Sequence, residues 1–475
     1  MPTRKKTKIV ATLGPATQNI ETIKDMILAG VDVFRINFSH ANYTNVQERV
    51  TTIRKIGEEL GMPPAILADL QGPKLRVGIM KEEMIVKAGD EIIFSTGKEF
   101  VGSAKKVYMN YDQFPKDVQA GEKILLDDGK LHFEVISTNK KDEVKAIVTH
   151  GGPLRSKKGV NLPNTKISLP AMTEKDIEDA IFAISLEVDW IALSFVRDAD
   201  DLKILNDLIK KHASYKIPVI AKIEKPEAVK NIKRIIANCD GLMVARGDLG
   251  VEVPAEEVPL IQKQLVLVAK EARIPIIIAT QMMETMITSL TPTRAEVNDV
   301  ANSVMDGADA VMLSGETSIG NYPVQVIETM TKIIRSVEHS TLIRVPQQPP
   351  QIKTNRYITK SVCYHAALMA NEMEAKAICT LTNSGYTAFQ ISAWRPNAHI
   401  LVFTSNKNIL TRMSLLWGVR AFLYDKFVST DETVDDVNKI ALEKGFVEKG
   451  DFLINLAAMP IKNKGMVNTL RVSQV

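Results

Sequence analysis

Short apolar segments alternate with amphipathic helical segments through most of the first 340 residues of this 475-residue chain. Eight of the apolar segments are nearly continuous in hydrophobic character, which is typical of parallel strands buried on both faces. They are 8–14, 33–39, 65–70, 188–196, 219–224, 241–247, 275–281 and 310–316. Eight strands with intervening helices predict an α/β fold, a (β/α)8 TIM barrel, whose active site would lie at the carboxyl ends of the strands. An open doubly wound sheet is the alternative that the pattern leaves.

One interval interrupts the alternation after the third strand. Segments 85–94, 122–137 and 143–152 are short strands with alternating polarity, separated by Asp-Gly and Gly-Gly turns. This pattern indicates an inserted β-rich module, and its position predicts a lid over the mouth of the barrel.

A proline- and glutamine-rich linker at 345–353 precedes a third region. One helix (357–374) and four strands (376–382, 399–405, 420–425 and 452–458) predict a small open α/β domain there. We therefore expect a barrel of residues 1–70 and 167–341, a lid of residues 71–166 and a C-terminal domain of residues 342–475.

The composition excludes several classes of protein. A net charge of +4 from 60 basic and 56 acidic residues favours neither nucleic acid nor a membrane surface as a partner. Cys239, Cys363 and Cys379 are scattered, which argues against disulfides or a zinc site and favours a reducing cytoplasm. The longest apolar runs, such as 274–279, are far shorter than the ~20 residues that span a bilayer.

Polar and charged residues lie at the carboxyl ends of seven of the eight apolar segments. They are Arg35, Asn37, Ser39, Asp69, Ser194, Lys222, Glu224, Arg246, Asp248, Thr280, Gln281, Ser314 and Glu316. Because the carboxyl ends of barrel strands meet on one face, we expect these side chains to form one site.

The residue types indicate the chemistry of this site. Glu224 and Asp248 offer two carboxylates that could share Mg2+ or Mn2+. Lys222, Arg35 and Arg246 would bring positive charge to a transferring group, and the backbone of 245–250 offers N–H groups to an anion. This combination predicts phosphoryl transfer, although no GxxxxGK[ST] loop is present.

The sequence resembles the pyruvate kinase family over essentially its whole length. The motifs that carry the resemblance are KIVATLGPAT (8–17), VFRINFSHA (33–41), KKGVNLP (157–163), KIEKPEAV (222–229), VARGDLGVE (244–252), TQMMETM (280–286), the long run 291–323 and NTLRV (468–472). The resemblance implies the same three-domain fold, a homotetramer, and transfer of phosphate from phosphoenolpyruvate to ADP to give pyruvate and ATP in glycolysis.

The resemblance also implies roles for residues at the substrate end of the site. Arg35 would bind the substrate phosphate, Lys222 would stabilise the transition state, and Glu224 and Asp248 would bind Mg2+. The Gly247 amide and Thr280 would bind the substrate carboxylate. We expect a water chain through Thr280 and Ser314, rather than Lys222, to protonate the enolpyruvate.

The nucleotide would face His40, Arg76 and Lys158, with Lys157 as a neighbouring candidate. Arg76 and Lys158 lie at the two ends of the insertion, so closure of the lid would bring their charges onto the phosphates of ADP or ATP.

The segment 69–77 departs from members of the family that require K+, which usually have glutamate at the position of Lys74. The K+ ligands of those members correspond to Asn37, Ser39, Asp69 and Leu70. We predict that the Lys74 ammonium supplies the charge that K+ otherwise brings, so that K+ is not required. A loop lysine with K+ still bound is the alternative.

The C-terminal domain contains a strand-to-helix turn that matches the effector-phosphate loop of the family: Thr382, Asn383, Ser384, Gly385, Tyr386 and Thr387. The loop expected to close on fructose 1,6-bisphosphate falls at 457–465, which lacks tryptophan and arginine but has Lys462 and Lys464. The ligand could be a sugar monophosphate, a nucleotide or nothing, and an ordinary helix N-cap is the alternative.

Two other functions remain open at this point. Lyases and aldolases that hold pyruvate-like acids on a barrel-bound Mg2+ would explain Glu224 and Asp248, but not the lid or its cations. A metabolite sensor with an inert barrel would be expected to have lost some of the catalytic residues, and all of them are present.

Overall fold

The structure is a computed structural model that describes residues 5–81, 84–163, 165–340, 356–426, 429–459 and 466–475. Its first domain is a closed barrel of eight parallel strands. The strands are β1 (Lys8–Thr12), β2 (Val33–Asn37), β3 (Ala65–Asp69), β4 (Trp190–Leu193), β5 (Val219–Ile223), β6 (Gly241–Ala245), β7 (Ile276–Ala279) and β8 (Ala310–Leu313). Strand β1 pairs with both β2 and β8, which closes the sheet. The predicted TIM barrel is confirmed, and the open sheet is wrong.

Alternation along the strands decides which side chains point into the barrel. Ile220 of β5 belongs to the core inside the barrel, whereas Val219 and Ala221 pack in the outer core against the helices. Lys222 has the same parity as Ile220 and therefore points inward at the carboxyl end of β5.

Helices surround the barrel and connect its strands. The longer ones are Ile20–Ala29, Tyr43–Glu59, Glu174–Ser185, Ala199–His212, Val258–Ala272, Arg294–Asp306 and Pro323–Glu338, with shorter ones at Pro226–Lys230, Ile232–Ile236, Arg246–Glu252 and Gly315–Ser318. Short 3-10 turns lie at Pro15–Thr17, Phe38–His40, Ala255–Glu257 and Glu284–Ile287. The helices that begin after Thr173 and Thr293 each start with a capping box, which explains their sharp beginnings.

The insertion between β3 and β4 forms a domain with its own hydrophobic core. Its strands are Met84–Val86, Glu91–Ser95, Lys106–Tyr108, Lys123–Leu126, Leu131–Thr138, Glu143–His150, Gly152–Leu154 and Val160–Asn161, with one short helix at Phe114–Asp117. A Cβ placed on Gly129 would lie 3.6 Å from Val251 Cγ1 of the barrel, so a turn of this domain reaches the helix after β6. The prediction of an inserted lid is confirmed.

The two chain segments that join the lid to the barrel are hydrogen-bonded to each other. Val160 N donates to Leu75 O at 3.0 Å, and Val77 N donates to Lys158 O at 3.0 Å. Arg76 and Gly159 pair between them in antiparallel orientation. The root of the lid is therefore a two-stranded ribbon.

The C-terminal domain is a five-stranded sheet with helices. The strand order is Val419–Leu423, His399–Thr404, Ala377–Leu381, Phe452–Ala457 and Thr469–Gln474, and the helices are Tyr357–Glu372, Tyr386–Ala393, Lys407–Leu410 and Thr430–Glu443, with a 3-10 turn at Arg412–Leu415. The predicted open α/β domain is confirmed. Its antiparallel last strand was not predicted.

The C-terminal domain packs against the amino-terminal end of the barrel. Leu415 is fully buried within the core inside the barrel, and Phe389 packs against the same core. Lys8 Nζ of β1 donates to Val419 O of the C-terminal sheet at 2.9 Å. The predicted boundaries between the three domains stay predictions, and the linker at 345–353 lies outside the described residues.

Candidate active site

The structure brings predicted residues of β2, β3 and β5 together at the carboxyl end of the barrel. Arg35 Nε lies 2.6 Å from Asp69 Oδ2. Lys222 Nζ lies 3.2 Å from Asp69 Oδ1 and 2.9 Å from Glu224 Oε1. Two cations and two carboxylates thus form one continuous network, and Asp69 is its centre.

Ser194, which the sequence placed at a strand end without a role, fixes the position of Lys222. The Lys222 ammonium donates to Ser194 Oγ at 2.7 Å, and that hydroxyl donates to Leu70 O at 2.7 Å. Phe195 N donates to Glu224 Oε2 at 2.7 Å from a backbone with φ of +54°. The loop after β4 therefore orients both Lys222 and Glu224.

Burial and the neighbouring charges set the pKa values of the groups in this network. Burial alone would lower the pKa of Lys222, but Asp69 and then Glu224 outweigh it and raise that pKa above its usual value. Burial would raise the pKa of Asp69, but Lys222 and Arg35 lower it. Burial, with Asp248 adding to it, raises the pKa of Glu224 despite Lys222. Lys222 is thus a fixed cation rather than a neutral amine.

The donor set fits a hard divalent ion. Asp248 lies in the short helix Arg246–Glu252 after β6, close enough to Glu224 to raise the pKa of its carboxyl. The part of the chain that the structure describes contains no cluster of three or more His, Cys, Asp and Glu side chains placed to hold a metal. Two carboxylates suit Mg2+, which keeps several waters and usually takes its remaining ligands from a phosphorylated substrate.

The Gly247 amide and Thr280, the two groups predicted to bind the substrate carboxylate, lie next to each other in the structure. Gly247 N donates to Thr280 Oγ1 at 2.7 Å, and that hydroxyl donates to Ala279 O at 2.6 Å. Thr280 has a φ of +67° and Gln281 a φ of +55°, which turns the chain sharply at the end of β7.

Arg246, which was expected to bring positive charge to a transferring group, is paired with Asp299 in the structure. Its Nη1 and Nη2 each lie 2.6 Å from an oxygen of Asp299, and Nη2 also donates to Thr280 O at 2.8 Å. Arg246 therefore supports the turn at Thr280. Asp299, which sequence reasoning missed, lies mid-helix with no local signal of this role.

Ser314 and Glu316 follow β8. The Glu316 carboxylate accepts from Ser314 N at 2.7 Å and from Met283 N at 3.1 Å, and burial raises its pKa. Ser314 and Thr280 share no direct hydrogen bond in the described part of the chain. The predicted proton route through both hydroxyls stays a prediction.

The cations predicted to face the nucleotide lie on the ribbon at the root of the lid. Lys158 Nζ is 2.9 Å from Asp127 Oδ1, and Arg76 Nη1 donates to Lys157 O at 3.1 Å. The side chain of His40 lies outside the described residues. Asp127, which sequence reasoning missed, holds Lys158 within the lid.

The residues matched to K+ ligands already have protein partners. Asn37 Oδ1 accepts from Ser39 N at 3.1 Å, Asp69 is paired with Arg35 and Lys222, and Leu70 O accepts from Ser194. Among the described residues, Lys74 has no ion pair with Asp69.

Lys74 instead lines a cleft between lid and barrel. The cleft has about 570 Å³ of space continuous with solvent, and Asp128 and Asp248 also line it.

The predicted effector loop is a tight turn before the helix Tyr386–Ala393. Gly385 has a φ of +81°, and its N–H donates to Thr382 Oγ1 at 3.0 Å. Asn406 Nδ2 donates to Asn383 O at 3.1 Å, while Ser384 Oγ accepts from Tyr386 N at 3.5 Å and Thr387 is buried. Lys462 and Lys464 lie outside the described residues.

Comparison with known proteins now decides the family. Residues 4–327 match the family model described as the pyruvate kinase barrel domain, and residues 360–473 match the pyruvate kinase alpha/beta domain. The chain belongs to the pyruvate kinase family. It is therefore a phosphotransferase, and the lyase, aldolase and inert-sensor alternatives are set aside.

Named pyruvate kinases match this chain from end to end. That of Corynebacterium efficiens is 41% identical over 468 residues, covering 98% of this chain and 97% of its own length. That of Mycobacterium tuberculosis H37Rv is 39% identical over 468 residues, with 98% of each chain covered.

A solved structure agrees. The crystal structure of a pyruvate kinase from Cryptosporidium parvum superposes with a TM-score of 0.92 at 30% identity, covering 99% of this chain and 96% of that one. Within the described residues, no helix is both long and apolar enough to cross a membrane.

Proposed function

We propose that this protein transfers the phosphoryl group of phosphoenolpyruvate to ADP and releases pyruvate and ATP. The observation that carries the proposal is the Lys222 ammonium, buried at the end of β5 between the carboxylates of Asp69 and Glu224. A permanent cation in a buried site stabilises the negative charge of a transferring phosphoryl group far better than it would in water.

Arg35 and Lys222 together would bind the phosphate of the substrate. Both already contact Asp69, which fixes their directions before substrate arrives and so lowers the ordering cost of binding. The substrate carboxylate would take the Gly247 N–H and the Thr280 hydroxyl, which now bond to each other. This exchange replaces two internal hydrogen bonds, from Gly247 N to Thr280 Oγ1 and from Thr280 Oγ1 to Ala279 O, with two hydrogen bonds to an anion.

Glu224 and Asp248 would hold Mg2+ or Mn2+. The ion would supply Lewis-acid stabilisation of the substrate oxygens when bound. Phe195 N keeps the Glu224 carboxylate in one orientation, which suits a ligand that must present the same oxygen on every turnover.

ADP would bind against Arg76 and Lys158 at the root of the lid and against His40, which follows β2 of the barrel. Asp127 now neutralises Lys158, so a nucleotide phosphate would have to compete with this carboxylate. We further propose that Lys74 makes K+ unnecessary by placing a tethered ammonium in the cleft that Asp248 also lines.

The wider assembly follows from the same family membership. We propose a cytoplasmic homotetramer, for which the exposed Leu260 and Leu267 on the helix Val258–Ala272 provide an apolar contact surface. A phosphorylated effector would bind the loop 382–387 at the start of the helix Tyr386–Ala393.

A coupled assay tests the reaction. Purified protein with phosphoenolpyruvate, ADP and Mg2+ is expected to form ATP and pyruvate in equal amounts, and Glu224→Gln or Asp248→Asn should abolish both. The proposal would be overturned if no ATP formed with Mg2+ or Mn2+, with or without K+, while isothermal calorimetry showed that phosphoenolpyruvate binds.

A further inference from the structure

Three side chains from three separate segments meet where the lid joins the barrel. Lys225 Nζ lies 2.5 Å from Glu252 Oε1, and Asn161 Nδ2 donates to the same oxygen at 2.8 Å. Lys225 is 8% exposed and Glu252 is 5% exposed, so the ion pair is shielded from water.

Their places in the chain connect them to the proposed metal ligands. Lys225 directly follows Glu224, and Glu252 lies one helical turn beyond Asp248 in the helix Arg246–Glu252. The Lys225–Glu252 pair therefore ties together the two segments that carry the two carboxylates. Asn161 belongs to the strand Val160–Asn161, which is the returning half of the ribbon at the root of the lid.

A buried ion pair is seldom retained for stability alone, because removing two charges from water costs about as much as their attraction returns. What such a pair does provide is one defined arrangement of the segments that carry it. Glu252 Oε2 is buried without a hydrogen-bond partner in the described part of the chain, so the carboxylate is held through one oxygen by two donors. Losing either donor would leave Glu252 less well oriented.

We propose that Glu252 is a positioning residue that couples the lid to the metal site. Lys225 keeps Glu252 in register with the loop of Glu224, and Asn161 contacts Glu252 in the lid position seen here. When the lid swings away, Asn161 leaves and Glu252 keeps only Lys225. Without the hydrogen bond from Asn161, fewer contacts hold Glu252, and through it the spacing of Glu224 and Asp248. The position of the lid and the affinity for the metal therefore depend on each other. The inference rests on the proposed function, because it takes Glu224 and Asp248 as the metal ligands.

Measuring metal binding in the absence of turnover tests whether Glu252 supports the metal site. Free Mn2+ measured by electron paramagnetic resonance gives the Mn2+ dissociation constant of the nucleotide-free enzyme. We expect Glu252→Gln to weaken Mn2+ binding about tenfold, as is common when a residue that supports a metal ligand is lost. The exposed Glu256→Gln, just beyond the same helix, is the matched control and should leave the constant unchanged.

The lid provides the second readout. Two spin labels, one in the lid and one on the barrel, report the distribution of distances between them. Asn161→Ala keeps the ion pair but removes the lid contact, so the distribution should broaden and Mn2+ should narrow it less than in the wild type. The double variant Lys225→Gln with Glu252→Gln leaves no unpaired buried charge. It should fold, and it should still bind Mn2+ more weakly than the wild type.

The outcomes separate the two proposals. If Glu252→Gln and the double variant bind Mn2+ as tightly as the wild type, or if Asn161→Ala leaves the distance distribution and its response to Mn2+ unchanged, the coupling is refuted. If Glu224→Gln leaves Mn2+ binding unchanged, the assignment of the metal site is wrong, and with it the function proposed from it.

Discussion

The indole nitrogen of Trp190 donates a hydrogen bond of 3.2 Å to the backbone carbonyl of Arg412. This bond joins β4 of the barrel to the C-terminal domain. Three residues after Arg412, Leu415 is fully buried in the core inside the barrel. A residue of the C-terminal domain therefore completes the core inside the barrel, and the two domains share part of one hydrophobic core.

Leu415→Ala is expected to destabilise the protein by about 2–5 kcal/mol, because it removes a fully buried side chain and leaves a cavity. Thermal unfolding followed by circular dichroism measures the change. Leu423→Ala, which truncates an exposed leucine of the same domain, is the matched control and should cost well under half as much. Equal effects of the two variants would show that Leu415 does not support the barrel.

Lys8 should make stability depend on pH. Burial, followed by the charge of Arg420, lowers the pKa of Lys8 from 10.5 to about 7. Asp32 and, more weakly, Glu338 oppose this shift, whereas Lys5 adds to it. Below pH 7, Lys8 is protonated in both the folded and the unfolded chain, so folding carries the full cost of the buried charge. Between pH 7 and 10.5 only the unfolded chain keeps the proton, so stability rises with pH by at most about 1.4 kcal/mol per unit.

Lys8→Met removes this cost at every pH. The variant's melting temperature minus that of the wild type should therefore be most positive below pH 7 and should fall as pH rises toward 10.5. Lys55→Met, at an exposed lysine of the helix Tyr43–Glu59, should show no such trend. A difference for Lys8→Met that is constant with pH would contradict the prediction.

Lys222→Met should separate the two halves of the reaction. Loss of the cation is expected to lower the rate of phosphoryl transfer by ~10²-fold to 10³-fold, which is the usual effect of removing one electrostatic contact with the transition state. Exchange of the methyl protons of bound pyruvate with solvent should persist, because we assign that proton to the route through Thr280 and Ser314.

Because the substitution leaves Asp69 and Glu224 without Lys222, unfolding must be measured first to show that the variant is folded at the assay temperature. Loss of proton exchange together with phosphoryl transfer, in a folded variant that still binds pyruvate, would assign both steps to Lys222.

The presence of Lys74 predicts how the enzyme's activity depends on K+. Activity of the wild type should change less than about twofold when KCl replaces tetramethylammonium chloride at constant ionic strength, since a tethered ammonium costs less entropy to place than a captured ion. Lys74→Glu should create a requirement for K+. The charge-matched Lys81→Glu, at an exposed lysine of the lid, should not. A wild type that K+ activates many-fold would defeat the prediction.

Local sequence pattern predicted the eight strands of the barrel, although an open sheet of the same strands remained possible. Every strand was marked by a near-continuous apolar run, and the same regularity put Arg35, Lys222 and Glu224 on one face. The inserted lid was equally clear, because alternating strands and Asp-Gly turns differ from the buried strands around them.

Contacts between distant segments could not be predicted in this way. The pairing of Arg246 with Asp299 joins residues 53 positions apart, and neither residue type signals a partner. Leu415 looks like any leucine near a helix, and only the packing of two domains shows that it closes the barrel. The last strand, Thr469–Gln474, lies at a sheet edge with side chains that are half-buried or exposed, so it lacked the apolar signal of the others.

The ribbon at the root of the lid has a mechanical consequence. The outgoing and returning segments are hydrogen-bonded to each other at Leu75–Val160 and Val77–Lys158. Neither segment can therefore shift along its axis or twist unless the other moves with it. The lid is attached to the barrel through this two-stranded ribbon, which can bend perpendicular to its plane and resists shear within its plane. A single hinge angle should therefore describe most of the movement of the lid relative to the barrel.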